Sequence, residues 1–115
     1  MHITRLDKVE TIVPQMEGAK GVLKQIPLSK ADGVPAFSFR VFTIKPDGHT
    51  PFHRHPFEHM NYAIDGHGII VSENGEHAFI KGDFALVLHN EMHQFRNASK
   101  HEDLVIICAV PKEYE

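Results

Sequence analysis

The sequence predicts an all-β domain, a sandwich or a barrel, from three observations. Short apolar or alternating runs recur along the chain, turn residues close each run, and Gly and Pro recur too often for a long helix. No internal repeat, low-complexity stretch or linker divides the 115 residues. A chain of this length buries about two-thirds of its unfolded surface, so one domain with one continuous core is expected.

Six runs have the composition of β-strands. The first is rich in Phe, Val and Ile and stops at a Pro-Asp-Gly turn. Two later runs stop at Asp-Gly and Asn-Gly, which are strong signals for β-hairpins. The predicted strands are 36–44, 60–64, 68–72, 76–80, 84–88 and 104–110.

The first 35 residues are less regular than the rest of the chain. Segments 11–13 and 21–28 are candidate edge strands, which nearby prolines keep short. Since exposed sheet edges have to be covered, one interpretation is an N-terminal strand that pairs with a second subunit. The expected organisation is therefore an N-terminal edge-strand region, 1–35, followed by the barrel, 36–115.

Composition and charge argue against nucleic acid and membranes as partners and against secretion. Twelve basic and fifteen acidic side chains give a net charge of −3, and no basic cluster suggests nucleic acid or an anionic membrane. The longest apolar run, Leu104–Val110, is much shorter than the roughly 20 residues of a membrane-spanning helix. The N-terminus carries charge too early for a signal peptide. A lone cysteine, Cys108, fits a reducing compartment, so we expect a cytoplasmic protein.

Ten histidines are the unusual feature of the composition, and their spacing predicts a metal site. His53, His55 and His59 are all odd-numbered, so on extended backbone they can point the same way. Two imidazoles on one strand can bind a single ion, and the third follows at the start of the next strand. His93 is the best candidate for a fourth ligand, because a short turn after strand 84–88 brings it back across the sheet.

Two other interpretations of this segment stay open. The histidines could be solvated side chains of a polar loop, since a pair spaced by one residue is common. Glu58 is the next candidate ligand, but its even number points it away from the others. A role beside the ligands or on the surface is therefore favoured for Glu58.

Residues 48–97 resemble the two sequence motifs of the cupins. The first motif has paired histidines, here His53 and His55, and a glycine that corresponds to Gly66. The second motif has a glycine, a histidine and an asparagine at fixed offsets, here at 82, 93 and 97. Fifteen residues separate the two motifs, which occur in the expected order.

The chain departs from the cupin pattern at several positions. His59 occupies the position where the family has a ligand Glu, and four residues rather than five separate Gly48 from His53. Leu88 replaces a Pro of the second motif and Asn90 replaces a Gly. Asn is the residue that best replaces Gly in left-handed backbone, so this turn is expected to survive.

The resemblance implies a double-stranded β-helix, or jelly roll, with a metal ion inside the barrel mouth. The His-X-His-Pro-aromatic-Glu-His run is similar to small bacterial cupins with four histidine ligands, in which manganese has been the bound metal. By resemblance Mn²⁺ comes first, and imidazole ligands also suit Fe²⁺, Zn²⁺, Ni²⁺ and Cu²⁺. Four imidazoles leave two octahedral positions for water, dioxygen or substrate. Without a carboxylate ligand, the site is expected to attract anions.

Three further residues are candidates for the pocket wall. Arg40 would orient an anionic substrate if it faced inward, although an outward arginine on a half-buried strand is slightly favoured. Phe95 shares a face with His93 and either walls the pocket or belongs to the core. Cys108 is by default a buried inert thiol, with a pocket-lining thiol as the alternative. The other histidines are expected to be solvated: 2, 49, 67, 77, 89 and 101.

Three function classes follow from these expectations, and the sequence does not decide whether the protein is an enzyme. The first is a metal-dependent oxygenase or related oxidoreductase that acts on a small organic molecule. The second is a non-catalytic cupin that binds or senses a small molecule or a metal. The third is a sugar isomerase or epimerase, which needs a carboxylate or spare histidine in the pocket. The short early strands and family habit favour a homodimer.

Overall fold

Antiparallel strands make up nearly all of the regular structure in the computed structural model, which describes residues 1–115. Three 3-10 turns are the only helical elements, and none is long and apolar enough to cross a membrane. The strands are β1 (Lys20–Leu28), β2 (Phe37–His49), β3 (His59–Asp65), β4 (His67–Ser72), β5 (Gly75–Ile80), β6 (Phe84–Val87), β7 (His93–Asn97) and β8 (Leu104–Pro111).

The strands form one sheet that curls into a nearly closed barrel. Its order is β5-β4-β7-β2-β8-β3-β6, and β1 pairs with β2 beside this path. The last strand, β8, therefore lies between β2 and β3 and pairs with both of them. This arrangement confirms the all-β jelly-roll fold as a single small domain.

Five of the six predicted strands agree with the structure to within about one residue at each end. The exception is the first, which does not end at the Pro-Asp-Gly turn, because β2 continues to His49. Its register with β1 shifts between the Lys20–His49 and Val22–Ile44 pairs, so a bulge absorbs the turn residues. Strand β7 was not predicted as a strand at all. The Asp-Gly hairpin predicted at 65–66 is also wrong, because β3 pairs with β6 and β8 whereas β4 pairs with β5 and β7.

Gly48 explains why the bulge in β2 is tolerated. A Cβ atom at this position would lie 2.7 Å from the Lys45 carbonyl oxygen and 2.8 Å from that of Lys20. Only a residue without a side chain allows the two backbones to come this close.

The expected left-handed turn at Asn90 is confirmed, with φ of 62°. Its backbone N–H donates a 2.7 Å hydrogen bond to the carbonyl oxygen of His55. This hydrogen bond connects the turn before β7 with the segment between β2 and β3. Asn tolerates this backbone better than most residues because its short polar side chain can bond locally.

Inward-facing residues of β2, β3 and β8 change in character along each strand. At one end they are aliphatic, and Ile44, Ala63 and Leu104 are completely buried there. At the other end the same strands place polar side chains inward. The barrel therefore has a packed end and an open end, and the open end contains the histidines.

The N-terminal region lies along β2 and β1. Strand β1 pairs with β2 over most of its length, and residue Ile12 forms a single antiparallel bridge with Lys24. Of the two candidate edge segments, 21–28 is a full strand, whereas 11–13 contributes only this bridge. Pro14 directly follows segment 11–13 and has no backbone N–H to donate, which limits the pairing of this segment with β1.

Candidate metal centre

Four imidazoles converge at the open end of the barrel. Ring nitrogens of His53, His55 and His93 all lie within 4.8 Å of one another. His59 is not within this distance of all three, but its Nε2 atom lies 3.3 Å from the Nε2 atom of His93. The ring centres of His55 and His59 are 5.0 Å apart. The structure thus brings together all four residues that the sequence singled out.

The ligand candidates come from strand ends and from one loop. His59 is the first residue of β3, as expected, and His93 is the first residue of β7. His53 and His55 do not lie on a strand, which corrects the sequence-based expectation. Only His53 makes strand-like contacts, by exchanging two backbone hydrogen bonds of 3.0 and 3.1 Å with His93.

Prolines explain why the 53–55 segment is a loop. Pro51 and Pro56 flank it, and neither can donate a backbone hydrogen bond to a neighbouring strand. The alternation of exposure nevertheless persists, because Arg54 and Glu58 are exposed while the odd-numbered histidines are half-buried or buried. The exposed side chain of Glu58 agrees with the parity argument that points it away from the cluster.

Hydrogen bonds hold three of the four rings in a defined orientation. The Nδ1 atom of His55 lies 2.9 Å from the Phe57 carbonyl oxygen, and that of His93 lies 2.8 Å from the Glu91 carbonyl oxygen. Because a carbonyl oxygen only accepts, each Nδ1 must donate. The Nε2 atoms of these rings are then free of protons and carry lone pairs, as metal-binding histidines require.

Asn61 fixes His59 in the same way. Its Oδ1 atom accepts a hydrogen bond of 3.0 Å from Nδ1 of His59. The amide nitrogen of Asn61 donates to the carbonyl oxygens of His59 and Ala85, which sets the direction of the amide. Sequence reasoning missed Asn61, although it shares the inward face of β3 with His59 at a spacing of two residues.

Burial keeps the four imidazoles neutral at physiological pH. It lowers the pKa of His59 to about 3 and the pKa of His55 to about 4. Burial is also the largest cause of the lowered pKa values of His53 and His93; the charge of Arg40 acts in the same direction, and Glu91 partly opposes it at His93. A neutral imidazole is the form that binds a metal ion.

The donor set fits a divalent metal ion. With both Nδ1 atoms donating elsewhere, the Nε2 atoms of His59 and His93 are two acceptors that face each other across 3.3 Å. Two lone pairs this close repel unless a cation or a proton lies between them. Nitrogen ligands at right angles on one ion, each at about 2.1 Å, are about 3 Å apart.

A cavity of about 360 Å³ opens beside the imidazoles. Aliphatic and aromatic side chains form most of its wall, and no Asp or Glu contributes to it. The residues around the cavity are Met16, Arg40, Phe42, Ile44, Thr50, His53, His55, Phe57, His59, Asn61, His93, Phe95, Ile106 and Cys108.

Arg40 faces into the barrel, so the outward orientation favoured from the sequence is wrong. Its side chain is buried, and its Nη2 atom donates a 3.1 Å hydrogen bond to Sγ of Cys108. The sequence was misleading because the outward face of β2 also carries apolar residues, Phe37 and Phe39, which are both exposed. Apolar residues on both faces of a strand leave its orientation undetermined.

Cys108 and Phe95 both lie in the cavity wall. The Sγ atom of Cys108 is 3.5 Å from Nδ1 of His59, and burial raises the pKa of this thiol. The ring of Phe95 is 6.2 Å from that of His59 and 6.0 Å from that of His93, measured between ring centres. Phe95 also belongs to the hydrophobic core, so both interpretations of it hold.

An aromatic stack connects the loop between β2 and β3, which contains His53 and His55, with Tyr114 after β8. His55 stacks on Phe57 with ring centres 3.8 Å apart, and Phe57 stacks on Tyr114 at 4.2 Å. Nothing in the sequence indicated that Tyr114 approaches this loop. The contact depends on β8 returning the chain beside the barrel mouth.

The remaining histidines do not take part in the cluster. His49 is half-buried, and its Nδ1 atom lies 3.2 Å from the carbonyl oxygen of Thr50. The others are exposed, as expected: 2, 67, 77, 89 and 101.

Comparison with known proteins establishes the family. The "Cupin domain" family matches residues 40–110, which is more than half of the chain, and this range includes all four histidines. The protein therefore belongs to the cupins. No curated protein sequence matches it significantly.

Solved structures with the same fold are numerous. The polyketide cyclase RemF from Streptomyces resistomycificus superposes with a TM-score of 0.91 at 22% identity, over 97% of this chain and 80% of the cyclase. A predicted oxalate decarboxylase from Thermotoga maritima gives 0.83 at 21% identity, over 96% of this chain and 98% of that protein. A sugar phosphate isomerase from Silicibacter pomeroyi gives 0.78 at 18% identity, over 95% and 75% of the two chains. At these identities the likeness establishes the fold alone.

Proposed function

We propose that His53, His55, His59 and His93 bind one divalent transition-metal ion and that the protein is a metal-dependent oxidoreductase of the oxygenase class. The substrate would be a small organic molecule. The observation that carries this proposal is the convergence of four neutral imidazoles on one cavity that has no acidic residue in its wall. Mn²⁺ is the first candidate ion, with Fe²⁺, Zn²⁺, Ni²⁺ and Cu²⁺ as alternatives.

The side chains around the cluster support a catalytic rather than a closed structural site. Four protein ligands would leave part of a six-coordinate sphere free, whereas structural sites fill all positions. When bound, a redox-active ion would supply Lewis acidity and one-electron chemistry toward dioxygen at those free positions. Phe42, Ile44 and Ile106 would exclude water from a bound substrate.

A sugar isomerase or epimerase is less well supported by this cavity. Such an enzyme needs a group that takes and returns a proton beside the substrate. The cavity wall contains no carboxylate and no imidazole beyond the four proposed ligands.

Elemental analysis tests the metal site directly. We expect the purified protein, loaded in turn with Mn²⁺, Fe²⁺ and Zn²⁺ and then desalted, to retain about one ion per chain. A variant with His55 and His93 changed to Ala should retain less than about a tenth of this amount. Retention by the double variant equal to that of the native chain would contradict the proposed ligand set.

Oxygen consumption tests the reaction class. The Mn²⁺- and Fe²⁺-loaded proteins would be supplied with small diketones, phenols and alkenes, and oxygen uptake would be compared with that of the Zn²⁺-loaded protein as a redox-inert control. Uptake with at least one compound, absent from the control, is the expected result. Tight binding of a compound without any turnover would instead identify a binding or sensing protein.

We also propose that the protein is a homodimer. A row of apolar side chains runs across the outside of four adjacent strands, from Phe39 through Ala109 and Met60 to Leu86. All of them are exposed except Ala109, which is half-buried. Phe84, next to this row, is 80% exposed. Contiguous apolar surface of this kind is typical of an interface, and isologous contact between two copies would cover it.

Light scattering coupled to gel filtration tests the dimer. The native chain is expected at twice its 13.0 kDa mass, and Leu86→Asp is expected at 13.0 kDa. His77→Asp, on the exposed part of β5, is the control and should remain dimeric. A native chain that elutes at 13.0 kDa at micromolar concentration would contradict the dimer.

A further inference from the structure

Arg40 is a buried cation in the wall of the cavity. Only 9% of its surface is exposed, and it is the one side chain around the cavity that carries a permanent charge. Nη2 donates to Sγ of Cys108 at 3.1 Å, and Nη1 donates to the carbonyl oxygen of Tyr114 at 3.4 Å. The guanidinium carbon lies 5.0 Å from the centre of the Phe42 ring.

No acidic partner neutralises this charge. No carboxylate oxygen lies within 4.0 Å of the Arg40 guanidinium, and its Nε atom is buried without any hydrogen-bond partner. The carboxylate of Glu115 is already used by the Ser38 hydroxyl and the backbone N–H of Lys30. Burying an unpaired cation is costly, so proteins pair such groups or use them for binding.

The second feature of the cavity is its apolar wall. Phe42, Phe95 and Ile106 belong to this wall, and their side chains offer no hydrogen bonds. The volume of about 360 Å³ accommodates roughly a dozen non-hydrogen atoms, at about 30 Å³ for each atom. A ligand that satisfies both features has a negative head and an apolar, preferably aromatic, body.

We propose that Arg40 binds the carboxylate of the cavity's ligand, so that the site takes small organic monocarboxylates with an aromatic or aliphatic body. The inference rests on the proposed function, because it makes this cavity the substrate site. A guanidinium offers parallel N–H donors that match the two oxygens of a carboxylate. The apolar body would then lie against the wall and extend toward the imidazoles.

Equilibrium binding of benzoate and benzamide tests the role of Arg40. The two probes have nearly the same shape, and only benzoate is charged. The titrations use the native protein both free of metal and loaded with Zn²⁺, which prevents redox turnover. We expect the native protein to prefer benzoate by about tenfold or more in both forms, as for a hydrogen-bonded charge pair.

Three variants separate the role of Arg40 from general charge effects. In the metal-free protein, where no ion attracts the anion, Arg40→Gln should reduce the preference to less than about twofold, and Arg40→Lys should retain only part of it because a lysine lacks the paired donors. Lys24→Gln is the matched control, since Lys24 is a nearby half-buried cation that does not line the cavity. It should leave the preference within about twofold of the native value.

The outcomes distinguish this inference from the proposed function. If Arg40→Gln folds, shown by a native circular dichroism spectrum, and still prefers benzoate as strongly, the inference is wrong while the metal site stands. The same conclusion follows if the native protein does not distinguish the two probes. If the protein retains no metal but its metal-free form loses the preference on Arg40→Gln, the anion site stands and the metal proposal fails.

Discussion

At the packed end of the barrel, strands β2, β3 and β8 place Ile44, Ala63 and Leu104 inward, all completely buried. At the open end, residues of the same three strands are Arg40, His59 and Cys108. The backbone pairing is continuous between the ends, so only the side chains differ. Aliphatic groups adapt to fill space, whereas rings and polar groups held by hydrogen bonds keep a cavity open.

The comparison suggests that the two ends have different tasks. Burial of aliphatic side chains at the packed end stabilises the fold. This stabilisation offsets the cost of holding buried polar groups in fixed positions at the open end. Shortening an aliphatic side chain at the packed end should therefore mainly lower the free energy of unfolding, and removing an imidazole at the open end should mainly weaken metal binding.

The largest expected effect is at the packed end. Leu104→Ala should lower the free energy of unfolding by about 3 kcal/mol, because it leaves a cavity next to Gly68 that the backbone cannot fill. Urea denaturation measures the loss, and metal retention by the folded fraction should not change. Leu6→Ala removes the same atoms from a partly exposed site and should cost less than about 1 kcal/mol. Equal losses for the two variants would contradict the claim that the packed end supplies the burial free energy.

The next effect is at the open end. His93→Ala should weaken binding of Zn²⁺ or Mn²⁺ by more than about 100-fold, since even groups that only support a ligand are worth 10- to 100-fold. Competition with a chelator of known affinity measures this change. His89→Ala removes an exposed imidazole four residues earlier and is expected to bind as the native chain does. A similar loss in both variants would argue against a specific ligand role.

Acid should destabilise the metal-free chain through the open end. The pKa of His59 is lowered to about 3 and that of His55 to about 4, mainly by burial, so the folded chain takes up protons less readily than the unfolded chain. Stability contributed by these neutral rings is present above the unfolded pKa near 6.5 and is lost as pH falls toward the folded values. For the well-buried His59 alone, the free energy of unfolding is expected to fall by about 3 kcal/mol between pH 6.5 and 4.

Urea denaturation across this pH range checks the acid effect. A variant with His59 changed to Gln should lose much of the slope, because an amide does not titrate. A slope that remains the same in this variant would mean that other groups cause the acid sensitivity.

A smaller effect is expected from the group that orients His59. Asn61→Ala removes the Oδ1 acceptor of the His59 Nδ1 proton and should weaken metal binding by about tenfold. Isothermal titration with Zn²⁺ measures the change. Asn74→Ala, in the exposed turn between β4 and β5, is the control. An affinity unchanged by Asn61→Ala would show that the ring is held without this bond.

The smallest effect concerns the turn before β7. Asn90→Ala should lower the free energy of unfolding by about 1 kcal/mol, because Ala tolerates left-handed backbone less well. Asn90→Gly should stay within about 0.5 kcal/mol of the native chain. Thermal and urea denaturation distinguish the two variants, and identical losses would contradict the importance of the backbone conformation.

Local signals account for most of what could be predicted from the sequence. The β4–β5 hairpin at Gly75 was identifiable because a turn of this kind depends on a few adjacent residues. The Asp-Gly signal at 65–66 was wrong as a hairpin turn, because β3 and β4 pair with other strands and not with each other. The set of four histidines was identifiable from parity and motif spacing. Asn90 was identifiable because its backbone requirement is local.

Features that depend on distant strands could not be predicted in the same way. Strand β7, with the sequence His-Gln-Phe-Arg-Asn, lacks the aliphatic alternation of its neighbours and forms because it pairs with β4. The orientation of Arg40 depends on what covers each face of β2. The cavity itself follows from the register among β2, β8 and β3, which no single segment encodes.

The central position of β8 has a consequence for the order of events during synthesis. β8 leaves the ribosome after the other seven strands, yet it joins β2 to β3 and supplies Ile106 and Cys108 to the cavity. All four imidazoles have therefore been made before the wall that encloses them exists. At about 5–20 residues per second, the histidines wait for roughly a second or more before β8 arrives. Metal capture is thus expected to follow folding, and the nascent chain has to avoid binding ions in the wrong geometry.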